Sequence, residues 1–359
     1  MSPVQALQVH AGPTAREHLR RHGLQPHDIR VVAGAAGGPK GLILLPLDAF
    51  IFGHWLPQGG HAVDLVGASI GAWRMASACL PDPVAALQRL GHDYIHERYG
   101  SVKGRMPSAT EVTQQFSQTL HRHFGDGVEA ILTHPQFRLT LLTSAGQGPL
   151  RHPRRWSMGP GFAAAVALNA IDRRLLGHLL RRCGFNARGQ APGWLSDGLR
   201  DDWVRLEPSN FEPALLASCS IPFWLDPVFD IPGAPPGAHW DGGLTDYHVH
   251  LPYGRLEEGY ALIPHFQPRL IPGWLDKPLR HRHGATSALD RAIVLCPSPE
   301  WVRSLPAGKI PDRSDFKRHL HEPQRREQLW QQALAASHQL ADEWAQLLAG
   351  GPIEALPLT

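Results

Sequence analysis

Cysteine is scarce in this chain of 359 residues: Cys79, Cys183, Cys219 and Cys296 are its 4 copies, far apart in sequence. No C-x-x-C occurs, so neither a disulfide framework nor a zinc ribbon is expected, and a reducing, cytoplasmic setting is the better fit. An excess of either charge is missing too, with Lys+Arg 35 against Asp+Glu 32 and a net charge of +3. That balance excludes the broadly basic footprint of a nucleic-acid binder, so no nucleic acid is expected as a partner. Long apolar runs are absent. The best, residues 41–56, is broken by Pro46 and Asp48 and contains His54, which falls short of the roughly 20 apolar residues of a membrane span. The first residues, MSPVQALQVHAGPTAREHLRRHG, hold no apolar stretch of a secretory signal. There is no internal repeat and no long low-complexity segment.

What is present is a globular composition, 43% hydrophobic and 19% charged. The 22 histidines draw attention to metal or histidine-base chemistry. No H-E-x-x-H pattern supports it. His248 and His250 stand at i and i+2, and on a strand they would share a face, as a pair of metal ligands could. With His265 they are also the candidates for a histidine base. Most of the others, such as His121, His123, His281 and His283, lie in polar, arginine-rich stretches and are read as solvated.

The chain alternates. Residues 14–23 read as a short basic helix, 29–33 (IRVVA) as a buried strand, and 34–41 as a glycine-rich loop followed by an apolar helix-like segment to about Phe52. Residues 62–66 (AVDLV) read as a second buried strand, 67–71 as a tight turn and 72–80 as a helix stopped by Pro81. This order predicts an α/β fold with a mostly parallel sheet covered on both faces. Further on, helices are expected over 82–99, 108–124, 160–183, 210–218 and 322–348. Strands are expected over 137–144, 260–263 and 291–296, and a loop over 231–239. No linker divides the chain.

Chemistry could sit in three places. Gly67-Ala68-Ser69-Ile70-Gly71 is a G-x-S-x-G between strand and helix. A sharp turn there lifts a serine Oγ out of the sheet and sets it at a helix N-terminus. Alternatively the glycines merely permit close packing. The loop Gly34-Ala35-Ala36-Gly37-Gly38-Pro39-Lys40-Gly41 can point N–H groups at an anion. It fails as a Walker A loop, because Pro39 stands at the sixth position and Gly41 follows Lys40. An oxyanion hole at Gly37 and Gly38, with Lys40 close by, fits better than a nucleotide site. Third, Trp240-Asp241-Gly242-Gly243 can aim a carboxylate inward from a cramped turn, or be an ordinary Asp-Gly turn.

Together these motifs resemble the patatin-like phospholipases, a family of lipid acyl hydrolases. Gly37-Gly38-Pro39-Lys40-Gly41 is similar to the family's oxyanion loop, Gly67 to Gly71 to its nucleophile elbow, and Asp241-Gly242-Gly243 to its catalytic aspartate turn. Ala217-Ser218-Cys219-Ser220-Ile221-Pro222-Phe223 looks like a further signature that precedes the aspartate. All four fall in the family's order, over more than half the chain. Two departures stand out: Ala36 replaces the first glycine of the loop, and Tyr247 stands where an asparagine is common, with the proline delayed to Pro252. The resemblance implies a three-layer α/β/α fold with helical insertions and no cofactor or metal. With the resemblance spanning about Ile29 to Pro252, the chain is read as a helical lead-in over 1–28, a patatin-like catalytic domain over 29–298 and a helical extension over 299–359 packed on the same domain. The resemblance also implies a Ser–Asp dyad of Ser69 and Asp241 acting on an acyl lipid. The same dyad would serve an acyltransferase or thioesterase, and the same fold a non-catalytic lipid-binding protein. Arg151, Arg154 and Arg155, with Arg173, Arg174, Arg181 and Arg182, are either a solvated face or a patch for an anionic membrane surface. Trp55, Trp73, Trp156, Trp194 and Trp224 include candidate interfacial anchors. The oligomeric state has no sequence signal.

Overall fold

The structure, a computed structural model, describes residues 4–98 and 108–359, with only the backbone of Arg155. The end of the helix expected at Tyr99 and the side chain of Arg155 lie outside the described residues. Among the described residues an 11-stranded sheet organises the chain. Its strands are β1 (Leu7–Ala11), β2 (Ile29–Gly34), β3 (Val63–Ala68), β4 (Phe137–Gly146), β5 (Leu180–Asn186), β6 (Asp201–Arg205), β7 (Val228–Phe229), β8 (Ala238–Asp241), β9 (Tyr260–Pro264), β10 (Ala292–Pro297) and β11 (Leu356–Pro357). The order is β11-β1-β10-β9-β2-β3-β4-β5-β6, with β8 paired to β4 and β7 to β8.

The central run from β10 through β9, β2 and β3 to β4 is parallel throughout. Strands buried on both faces are mostly apolar: β9 and β10 are unbroken hydrophobic runs, β2 and β3 are interrupted only by Arg30 and Asp64 near their starts, and β4 carries Arg138, Thr140, Thr143 and Ser144. Alternate residues serve two cores. Val63, Leu65, Leu262, Ile293 and Leu295 face one layer, which holds the helices Leu45–Phe50, Ile70–Ala78, Pro83–His96 and Pro208–Ser218. Val66, Ala68, Ala261, Ile263 and Val294 face the other, closed by Tyr247, Val249, Leu251 and Tyr253. The fold is therefore a mixed α/β one with a mostly parallel central sheet.

Several expectations change. The long helix expected over 160–183 is the helix Arg155–Ile171, a short turn Arg173–His178 and then β5. β5 pairs antiparallel with β4, so Arg181 and Arg182 alternate on a strand instead of sharing a helical face. Arg182 is fully buried, with its guanidinium on Asp246 and Asp197, and Arg173 is paired with Asp276. Those two arginines are committed inside the protein, which removes them from a lipid-facing patch. The loop over 231–239 ends in β8, and the helix over 322–348 is two, Pro323–Ala336 and His338–Ala349, separated at Ser337. Residues 7–11, within the expected helical lead-in, form β1 against β10. Trp55 and Trp73 are core residues, while Trp156 and Trp224 are exposed.

Candidate active site

Strand pairing brings the motifs together. β2 and β3 are parallel neighbours, so the loop 34–41 and the turn at Ser69 leave the same end of the sheet. In the β3–β4 ladder Ala68 lies opposite Leu142. In the β4–β8 ladder Thr143, the next residue, lies opposite Asp241. Asp241 is thereby level with Ser69, two strands away.

Ser69 joins β3 directly to the helix Ile70–Ala78 at φ 55, ψ −128, a conformation rarely taken by a residue with a side chain. Such backbone strain costs about 1–3 kcal/mol and persists only where the surroundings over-determine it. Here the surroundings are backbone against backbone. A Cβ on Gly71 would stand 1.9 Å from Gly34 O, and one on Gly67 would stand 2.6 Å from Ala72 N. The glycines of the pentapeptide let the helix pass over β2 at contact distance. Ser69 N–H donates to Ser218 Oγ at 2.9 Å, and Ser218 Oγ donates to Leu142 O at 2.7 Å.

The Ser69 hydroxyl donates to Asp241 Oδ2 at 2.8 Å, and Gly243 N–H donates to Asp241 Oδ1 at 2.7 Å. Both side chains are buried. Asp241 is held on all sides: its N–H reaches Ser220 O, its carbonyl accepts from Ser144 Oγ, and Gly242 N–H reaches Ser218 O. A Cβ on Gly242 would lie 2.1 Å from Leu142 O, so this turn also depends on glycine. Below it, Arg182 grips Asp246, the last residue of the helical turn Gly243–Asp246 that follows Asp241. Burial raises the Asp241 carboxyl above the ordinary range, against the pull of Arg313, the Gly243 N–H, the Ser69 hydroxyl and Lys277.

The loop 34–41 becomes a tight helical turn, Gly38–Leu44. Ala36 N–H is used by Tyr247 O, whereas among the described residues the N–H groups of Gly37 and Gly38 have no protein acceptor. Gly38 has φ 57, and Gly41 packs against Ile70 of the elbow. A buried ion pair locks loop and elbow together, since Asp48 follows the loop and Arg74 follows Ser69, with Arg74 Nε 2.5 Å from Asp48 Oδ2. Lys40 lies over Phe266 and Lys277 over Tyr247, at 4.7 and 4.1 Å from the ring centres. Burial lowers Lys40, and it lowers Lys277 to about 8 with help from Lys40 and Arg313.

Two cavities meet here. One of ≈ 550 Å³ holds Ser69 with Gly38, Trp73, Phe116 and Cys219. The other, ≈ 630 Å³, holds Asp241 with Gly37, Lys40, Phe162, Tyr247 and Lys277. Ile221, Phe223, Trp224 and Arg313 line both and so form the wall between them. Phe223 has φ 69 and is 61% exposed.

The histidines do not enter this arrangement. Val249 between His248 and His250 has φ 50, and neither histidine is on a strand. Among the described residues His248, His250 and His265 make no hydrogen bond to Ser69; His248 and His265 pack edge to face at 4.3 Å. The pairs His18/His22 and His92/His96 sit a turn apart on helices, but no group of three or more His, Cys, Asp or Glu among the described residues could hold a metal. His123, read as solvated, is buried against Ser77 Oγ at 3.0 Å.

Sequence reasoning missed Lys277 and Arg313, lone basic residues outside any motif, and it quoted Ser218 without giving it a role. The Ala217–Phe223 segment was the available signal for Ser218. For Arg313 there was none, because only folding of the 299–359 region brings it to Gly38.

No protein-family model matches the chain, and no curated protein matches it. Among solved structures it is similar to VipD from Legionella pneumophila, at a TM-score of 0.36 and 13% identity, over 90% of this chain and 67% of that one. No helix among the described residues is long and apolar enough to cross a membrane.

Proposed function

We propose that this chain is a serine hydrolase of lipid acyl esters, akin to the patatin-like phospholipases its motifs resemble. The observation that carries the reading is the short, buried hydrogen bond from Ser69 Oγ to Asp241 Oδ2, at a strained strand-to-helix turn between two largely apolar cavities. Ser69 Oγ attacks the acyl carbonyl carbon while its proton passes to Asp241. The carbonyl oxygen becomes an oxyanion received by the free N–H groups of Gly37 and Gly38, with Lys40 adding positive charge. Removing one such donor typically costs about 10²–10³ in rate. As the tetrahedral species collapses, the C–O bond to the alcohol breaks and the alcohol leaves with the proton from Asp241. Water then attacks the acyl-serine and gives a proton to Asp241; as this second tetrahedral species collapses, the C–Oγ bond breaks, that proton passes from Asp241 to Ser69 Oγ, and the fatty acid is freed. The raised pKa of Asp241 supports this role, since it makes the carboxylate a stronger base than aspartate in water.

A fluorophosphonate probe followed by peptide mapping tests the nucleophile. A panel of phospholipid, lysophospholipid, triacylglycerol, acyl-CoA and p-nitrophenyl esters tests the reaction, with Ser69→Ala as the blank. Labelling of Ser69 together with ester turnover is expected. A folded protein that neither labels nor turns over any member of the panel above the Ser69→Ala blank would end the proposal.

A further inference from the structure

The helix Arg155–Ile171 has its polarity turned around. Over residues 156–171 it carries no charged side chain, and its polar side chains, Ser157 and Asn169, both point inward. Asn169 donates to buried Asp276 Oδ1 at 2.9 Å. The inner face also buries Phe162 and Ala165 against Leu150, Leu176 and Trp240. Outward it presents Trp156, 73% exposed, and Ile171, 75% exposed, with Val166 and alanines between them. A surface helix ordinarily places its polar residues toward water; one that is apolar all round belongs in a core or against lipid.

This face is continuous with the site. Gly159, Phe162, Ala163 and Val166 of the helix line the Asp241 cavity, and exposed Phe223, Trp224 and Trp274 line it from other segments. These apolar residues thus border the cavity that holds Asp241, whose remaining wall carries Lys40, Lys277, Asp312 and Arg313. Exposed Arg151 and Arg154 precede the helix, while beyond it exposed Asp172 offsets exposed Arg174, so the basic flank is the N-terminal one. A contiguous exposed apolar patch edged by basic side chains fits a lipid surface with anionic headgroups.

We propose that the outer face of the helix Arg155–Ile171, with Phe223, Trp224 and Trp274, is the surface on which the protein rests on an anionic lipid bilayer. An acyl chain then passes from the bilayer into the Asp241 cavity without crossing water. The proposal rests on the acyl-lipid reading of the site, but its test can be read without activity. Vesicles of equimolar phosphatidylcholine and phosphatidylglycerol are floated with the Ser69→Ala protein, which cannot consume them. Ala167→Glu and Ile171→Glu are then added together; neither residue lines a cavity, and unchanged thermal melting shows that both variants fold. A bound fraction falling roughly tenfold or more is expected, because a carboxylate pressed into an apolar layer is strongly disfavoured. In the Ser69 background the same pair should leave hydrolysis of a short soluble ester within about twofold while hydrolysis in vesicles falls in step with binding. Failure of Ser69 to react with any ester would overturn the hydrolase reading and leave the flotation result standing. Equal flotation with and without the glutamates, or no flotation of the parent protein, overturns the surface. So does a dimer in sedimentation that the glutamates dissociate, since a second copy would then be what covers the face.

Discussion

The hydroxyl of Ser69 lies 2.8 Å from Asp241 Oδ2, although 172 residues separate the two in the chain. The carboxylate must be ionised to take the serine proton, and burial raises its pKa above the ordinary value of about 3.9. Activity is therefore expected to fall as the pH drops through this raised value. The acid limb of kcat/KM for a soluble ester should lie above pH 4, which a pH–rate profile measures. A limb at or below 4 would remove Asp241 as the base.

The same burial predicts a trade of stability for function. A carboxyl whose folded pKa is raised stabilises the fold most when protonated, and that contribution is lost as pH rises through the folded value. Asp241→Asn removes the buried charge and keeps the pairing: its oxygen can accept from Gly243 N–H and its amide can donate to Ser69 Oγ. Turnover should vanish while stability to urea at pH 7 equals or exceeds that of the parent protein, the difference shrinking toward pH 4. A variant clearly less stable at pH 7 would show that the carboxylate is held by more than it costs.

The central strands and the elbow were legible because their causes are local. Parallel strands buried on both faces are predominantly apolar, and Gly67 and Gly71 are demanded by atoms within a few residues or on the adjacent strand. Residues 160–183 were misread because Leu176, Leu180 and Cys183 continue an apolar i, i+4, i+7 pattern. The break comes from the turn at Arg173–His178 and from ladder bonds to β4, a partner the sequence does not show. Arg182 likewise reads as a surface charge until Asp197 and Asp246 arrive from elsewhere in the chain. Asp241 needed the resemblance, since its place beside Ser69 is set by pairing with β4.

Ser218 ties the elbow to the sheet. It accepts from Ser69 N–H and donates to Leu142 O, both in the buried interior. Ser218→Ala leaves a buried donor and a buried acceptor without partners, at about 1–3 kcal/mol for each such group. A loss of that order in urea unfolding is expected, with a drop in kcat larger than any change in KM because the strained Ser69 backbone loses its tether. Wild-type kcat in the variant would show that the elbow is held by its glycines alone.

His248 and His265 give the fold an acid sensitivity. Burial is the main cause that holds His265 down at about 3 and His248 well below its ordinary value. Both stay neutral when folded and take up protons near pH 6.5 when unfolded, so the stability they contribute is present above 6.5 and lost as pH falls. Each adds a slope of up to about 1.4 kcal/mol per pH unit below 6.5. His265→Asn can meet either the carbonyl or the N–H of Gln267 that Nδ1 now contacts, but cannot titrate there. Urea unfolding of this variant between pH 6 and 5 should show a slope shallower by about that amount, and an unchanged slope would place the acid sensitivity elsewhere.

Arg313 should select among substrates. It lies in the wall shared by the two cavities, against Gly38, and makes no ion pair among the described residues. With Lys40 and Lys277 it lines a cavity whose carboxylates are Asp241 and Asp312, three cationic side chains to two, which leaves positive charge to spare. An ester whose alcohol carries a phosphate can satisfy that charge, while a neutral ester cannot. A hydrogen bond to a charged group contributes about 1.5–3 kcal/mol, or roughly 10- to 100-fold in kcat/KM. Arg313→Gln is therefore expected to lower kcat/KM for a lysophospholipid by roughly that factor and to leave a p-nitrophenyl ester of the same chain within about twofold. Raised salt should weaken the preference in the parent protein and have less effect in the variant. An equal loss on both esters would assign Arg313 to the shape of the wall, with no part in choosing the leaving group.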